Sequence, residues 1–189
     1  MARKNRIWMP GHFYHIVSRG NWRGDLFKEE ADYKIFLHIL REINEKTPIE
    51  LASYCLMTNH YHLQLRSTEL PISKVMAFIN KRYADYHNNK YEVSGHVFEK
   101  RYYGEFIDSP LGMLKVSKYI HLNPLEADMV NDPLRYRWSS YLYYLHTKGT
   151  DILKPNAVLD YFTGDESEKR RRYVQYMEEK EESPLVIQL

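Results

Sequence analysis

The chain has 189 residues, with 27 Lys and Arg against 25 Asp and Glu, a formal charge of +2 that by itself names no partner. Its length suits one domain, or one domain plus a short appendage, and 43% hydrophobic and 14% aromatic residues with only 8 Gly and 8 Pro indicate a packed core, not a disordered or low-complexity chain. The single cysteine, Cys55, excludes an internal disulfide and a cysteine-built zinc site, and with them the secreted, disulfide-stapled classes.

The amino-terminal stretch holds Arg3, Lys4, Arg6, Arg19 and Arg23 and no acid before Asp25, which suits either contact with a polyanion or an ordinary solvated basic end. It lacks an apolar run of signal-peptide length, and nowhere does the chain carry roughly 18 consecutive uncharged, mainly apolar residues, so a cytoplasmic protein without a membrane partner is expected.

Phe13 to Ser18 is apolar on both faces and predicts a covered strand, followed by a loop at Gly20 and Gly24. Tyr33, Phe36, Leu37, Leu40 and Ile43 recur at helical spacing and predict a helix over 29–46, which Pro48 ends. Ile49 to Met57 and His60 to Arg66 read as two strands of a hairpin turning at Thr58-Asn59. Val75, Phe78, Ile79, Tyr83 and Tyr86 mark a second helix after Pro71, and His96 to Ile107 reads as a fourth strand. The order is βαββαβ: an α+β, ferredoxin-like antiparallel sheet with two helices on one face. A further helix is predicted from Pro110, capped by Asp108 or Ser109 and closed or kinked by Pro124. Residues 133–144 are aromatic-rich, and Asp165 to Glu182 predicts a charged helix packed on the outside.

The string Met57-Thr58-Asn59-His60-Tyr61-His62-Leu63-Gln64-Leu65 is the most informative. On a strand His60, His62 and Gln64 share one face and Tyr61, Leu63 and Leu65 the other, so two imidazoles, with Cα atoms roughly 6.6–7 Å apart, can lean onto one divalent ion. A histidine pair two apart is also common as surface or core filler, and a metal that does chemistry needs a third ligand and an open position.

The His-hydrophobe-His strand, followed by Tyr119-Ile120-His121-Leu122-Asn123-Pro124, resembles the single-tyrosine HUH transposases, IS200-like, and most closely the REP-associated tyrosine transposase branch. Tyr14-His15-Ile16-Val17-Ser18-Arg19-Gly20, Gly95-His96-Val97-Phe98-Glu99-Lys100-Arg101-Tyr102 and Arg137-Trp138-Ser139-Ser140-Tyr141 match in order, so the resemblance covers about residues 10–145. It implies a catalytic domain over 1–150 with a helical extension over 151–189. It also implies cleavage and rejoining of single-stranded DNA beside imperfect hairpins through a covalent 5′-phosphotyrosine. Tyr119 would be the nucleophile, His60 and His62 ligands of Mg²⁺ or Mn²⁺, and the setting cytoplasmic and nucleoid-associated. Both monomers and homodimers with exchanged helices fit that class.

Read from the residues alone, Tyr119 and Asn123 lie one helical turn apart on one face, so the Asn123 amide can reach the ion while the phenol faces phosphate. Gln64 is the rival third ligand. His121, off that face, reads as structural or DNA-contacting, and His15 and His96 as satisfied sheet histidines or site residues. Arg19, Arg23, Lys81, Arg82, Lys100 and Arg101, interleaved with Trp22, Tyr83, Tyr102 and Tyr103, offer cations for phosphates and rings for unpaired bases, or else a solvated surface over core aromatics. The alternative to an enzyme is a domesticated single-stranded nucleic-acid-binding protein without cleavage. A histidine-triad hydrolase would need another His where Gln64 stands.

Overall fold

The computed structural model describes residues 8–146 and 150–179, so Arg3, Lys4, Arg6 and the end of the expected tail helix lie outside the described residues. Strands β1 (Tyr14–Arg19), β2 (Ile49–Leu56), β3 (His60–Ser67) and β4 (Tyr103–Phe106) form one sheet in the order β2-β3-β1-β4, every neighbouring pair antiparallel. Helices α1 (Glu30–Lys46) and α2 (Ile72–Tyr91) complete the expected α+β, ferredoxin-like βαββαβ order. Tyr61, Leu63 and Leu65 of β3 and Tyr14 and Ile16 of β1 meet Phe36, Leu40, Val75, Ile79 and Tyr83 of the helices in the first core. Each such aliphatic or aromatic side chain removed from water contributes about 1.5–3 kcal/mol.

Asp32 fastens the two helices. It closes a capping box with Glu29 at the start of α1 and accepts from Lys90 (2.5 Å), Tyr91 (2.6 Å) and Tyr86 (2.8 Å) at the end of α2. Burial alone would raise its carboxyl, but these donors hold it down at about 2.

The fourth strand is shorter than expected: residues 96–102 do not continue the ladder beyond a single bridge between Phe98 and Gly20. Val97 and Tyr102 are instead buried in the first core, with Phe98 packed against Tyr61 and Tyr83. Aromatic enrichment there reflects plugging of the sheet's end, not pairing. His96 accordingly is exposed in a loop and is not a sheet histidine.

The other face of the sheet carries α3 (Pro110–Glu126), whose first turn Ser109 caps by accepting from the Gly112 N–H at 3.1 Å. Pro124 sits inside this helix, which runs on to Glu126. Helices α4 (Tyr141–Leu145), α5 (Asn156–Leu159) and α6 (Glu166–Glu178) pack with it in a second core containing Cys55, Met113, Ile120, Tyr144 and Tyr173. Before α4 the segment at Trp138–Ser140 lines the outer edge of β2: Leu56 donates to the Trp138 carbonyl (2.9 Å) and Ser140 to the Tyr54 carbonyl (2.9 Å). That covers an edge otherwise open to pairing.

The charged tail helix is more than an outer layer, because Tyr173 is fully buried against α3. Its hydroxyl lies 2.7 Å from both Ser117 Oγ and His121 Nδ1, and His121 Nε2 lies 2.7 Å from Ser140 Oγ. Lys118, almost fully buried, donates to the Tyr176 and Glu179 carbonyls at 2.7 and 2.6 Å, a cation on the negative end of α6. His121 is therefore a structural bridge. Replacing His121 with Leu takes one buried hydrogen bond from each of the Tyr173 and Ser140 hydroxyls, which keep their bonds to Ser117 and Tyr54, and is expected to lower unfolding free energy by about 1–3 kcal/mol in urea titrations; a loss under about 0.5 kcal/mol would show that the bridge does not hold α3.

Candidate active site

Alternation on β3 turns His60, His62 and Gln64 to the α3 side of the sheet, and the β1–β3 register sets Arg19 opposite His60, Val17 opposite His62 and His15 opposite Gln64. On α3, Tyr119 stands against this surface. Its ring centroid lies 5.5 Å from that of His62 and 5.8 Å from that of His15, both edge-on, and the His60 and His62 centroids are 5.0 Å apart. The phenol thus meets the histidine pair of its own chain. Asn123, one turn beyond and buried, lies beside both Tyr119 and His60.

The His60 tautomer is set by its neighbours, and the His62 ring is held by His15. The Asn59 amide nitrogen donates to the Arg23 carbonyl (3.1 Å), leaving its oxygen to face His60 Nδ1 at 2.7 Å, so that nitrogen carries the proton and His60 Nε2 the lone pair. His62 Nδ1 lies 3.1 Å from His15 Nε2, and His62 Nε2 is buried with no hydrogen-bond partner. A buried unpaired imidazole nitrogen costs about 1–3 kcal/mol, and coordination of a cation is one way to recover it. Among the described residues no three His, Cys, Asp or Glu side chains cluster to hold a metal. The donors available to an ion here are two imidazoles and the Asn123 amide. Gln64 is occupied: it accepts from Ser53 Oγ (2.7 Å) and donates to the Met113 carbonyl (3.1 Å).

Burial lowers His60 to about 4 and His15 to about 3; it also drives His62 well below its ordinary value, the charges of His15, His60 and Arg19 adding to the effect. The pair is thus neutral near pH 7, as ligation requires. Burial raises the Tyr119 phenol and Glu126 adds to this, while the Asn123 hydrogen bond and Arg19 oppose it.

The model of the family described as "Transposase IS200 like" matches residues 9–123, more than half of the chain. The chain belongs to the IS200-like transposases. No curated protein sequence matches it. Among solved structures, a REP-associated tyrosine transposase bound to a REP hairpin matches with TM-score 0.67 at 14% identity, over 82% of this chain and 98% of that one. A protein of Deinococcus radiodurans R1 described as a transposase matches at 18% identity, over 59% of this chain and 88% of that one, with TM-score 0.41.

In this IS200-like transposase the six candidate DNA-binding cations divide. Arg19 lies beside the histidines, its Nε buried without a partner, and Arg23 is exposed in the adjoining loop. Lys81, Lys100 and Arg101 line a groove of about 890 Å³ between α2 and the 95–102 segment, which lies off the Tyr119 site and has Met76, Ala77 and Phe98 on its walls. Lys100 and Arg101 also border a smaller hollow with Arg19 and Tyr103. Arg82 is elsewhere, paired with Glu42 of α1 at 2.7 Å. Of the interleaved aromatics, Tyr83 and Tyr102 are core residues and Trp22 is 91% exposed. His15 and Asn59, which orient the histidine pair, were not assigned such a role from sequence; only the pairing of β1 with β3 and the course of the 20–24 loop reveal it. No helix among the described residues is long and apolar enough to cross a membrane.

These buried neutral histidines fix a pH dependence. Unfolded histidine takes up a proton near 6.5, whereas His15 and His121 resist until about 3 and His60 until about 4. Between those limits the unfolded chain binds more protons, so stability is complete above pH 6.5 and falls as pH drops, by about 1.4 kcal/mol per pH unit for each histidine. Melting temperature is expected to fall steadily from pH 7 to about 4.5 in scanning calorimetry; a flat profile would contradict these burials.

Proposed function

We propose that this transposase cuts and rejoins single-stranded DNA beside a hairpin through a covalent 5′-phosphotyrosine on Tyr119, with a divalent cation held by His60, His62 and Asn123. The observation that carries the reading is the Tyr119 ring set edge-on to His62 beside a buried imidazole nitrogen without a partner. The similar REP-associated tyrosine transposase bound to a REP hairpin supports hairpin DNA as the partner.

The Tyr119 oxygen forms the bond to phosphorus as the bond from phosphorus to the 3′-oxygen breaks, the phenol proton leaving to solvent and the departing oxygen taking one up. A phenol, with its ordinary value near 10, leaves more readily than an alkoxide, so the same ester is open to attack by a 3′-hydroxyl and rejoining needs no stored energy from elsewhere. Asn123 holds the phenol toward His60, His15 keeps His62 in one orientation, and Arg19 sets a positive charge beside the scissile phosphate. When bound, Mg²⁺ or Mn²⁺ would neutralise phosphate charge and align the phosphorus for in-line displacement. Mixed with labelled hairpin DNA and Mn²⁺, the protein is expected to give an adduct that survives denaturation. Tyr119→Phe should abolish it while DNA binding persists, and His60→Ala should cut its formation at least about 100-fold; an undiminished adduct in Tyr119→Phe would reassign the nucleophile, and binding without any adduct would favour a domesticated binding protein.

A further inference from the structure

Trp22 is the most exposed large apolar residue described, at 91%, and it sits where the backbone is least free to offer it by accident. Both Trp22 (φ 53°) and Arg23 (φ 57°) adopt the left-handed conformation that side chains other than glycine rarely take. The loop that imposes this is closed tightly: a Cβ on Gly20 would stand 2.1 Å from the Gly24 carbonyl oxygen, so no other residue fits there. It is also fastened on several sides. Gly20 donates to the Asn59 carbonyl (2.8 Å), Asn21 to the Val97 carbonyl (2.8 Å) and the Asn59 side chain to the Arg23 carbonyl (3.1 Å).

Asn59 is the link that matters, because its other amide atom orients His60. The exposed indole is therefore carried on a rigid loop one hydrogen-bonded residue away from the candidate active site. Arg19 and Arg23 lie on either side of it in sequence, and no other exposed large apolar residue belongs to the loop, so a broad apolar partner has nothing more to cover. An isolated, flat, apolar ring with an exposed arginine next to it in the chain matches the chemistry of a single unpaired nucleotide, its base stacked on the ring and its phosphate within reach of that guanidinium.

We propose that Trp22 is a stacking platform for one unpaired base of the single strand next to the cleavage position, an inference that rests on the single-stranded DNA reading of the site. The base pairs of a duplex stem hide their faces in their own stacking, so the platform discriminates a single strand from a stem. Because Asn59 ties the loop to His60, stacking also fixes the register of the strand relative to Tyr119.

The test uses the whole protein and two probes: a hairpin with a single-stranded 5′ extension of roughly ten randomised nucleotides, and the same hairpin made blunt. The extended probe is expected to quench a component of tryptophan emission that Trp22→Phe lacks. Trp22→Ala, which leaves the core untouched, should weaken binding of the extended probe roughly 5- to 150-fold and that of the blunt probe hardly at all, with Trp22→Phe retaining most of the affinity. Equal binding of the extended probe by Trp22→Ala and the native protein, or equal loss on both probes, would overturn the platform. Tyr119 adduct formation is scored in parallel. Adduct without any Trp22 effect removes the platform and leaves cleavage standing; Trp22-dependent quenching without adduct does the reverse, and failure to bind either probe removes both.

Discussion

The position of Tyr119 depends on how α3 is held to the sheet, and two buried polar contacts hold it. Near the start of the helix the Gln64 amide, itself fixed by Ser53, donates to the Met113 carbonyl. Near its end His121 bridges Ser140 at the β2 edge and Tyr173 of α6. Apolar packing alone would tolerate a helix sliding along the sheet by part of a turn, since such contacts are non-directional. Hydrogen bonds between fully buried partners do not, because each displaced group would stand unsatisfied at about 1–3 kcal/mol. Tyr119 lies between these two anchors, and its placement against His62 follows from them.

The same burial that makes the anchors strict also keeps the histidines neutral. Isolated imidazoles on a protein surface would be partly protonated at mildly acidic pH and would repel one another and a cation. Here burial, with Arg19 nearby, suppresses that charge at His60 and His62. The arrangement needs no carboxylate to prepare the pair, and the neighbours that hold the two rings, Asn59 and His15, are likewise uncharged.

Much of this was legible in the sequence, and the rest was not for definable reasons. The period of two through His60, His62 and Gln64 and the four-residue step from Tyr119 to Asn123 are local, so their shared faces can be read without a fold. The role of His15 needs the register of β1 on β3, and that of Tyr173 needs contact across 52 residues with His121. Residues 96–102 misled because aromatic residues that plug the end of a sheet have the composition of a strand that extends it. Arg82 shared a helix with Lys81, yet its neighbour on α1, Glu42, decides where it points.

The chemistry of the donor set bears on why the site suits phosphate. If His60, His62 and Asn123 hold the ion, every protein ligand is neutral, since no third acidic or imidazole donor joins them among the described residues. A carboxylate ligand would cancel part of the cation's charge before substrate arrived. With neutral ligands the whole of that charge is directed at the DNA, and its interaction with a phosphate oxygen is stronger in this partly buried pocket than in water. Arg19 adds to the same field. Burial holds the Tyr119 phenol above its ordinary value, and in the proposed reading a cation beside it would favour the ionised oxygen that burial disfavours.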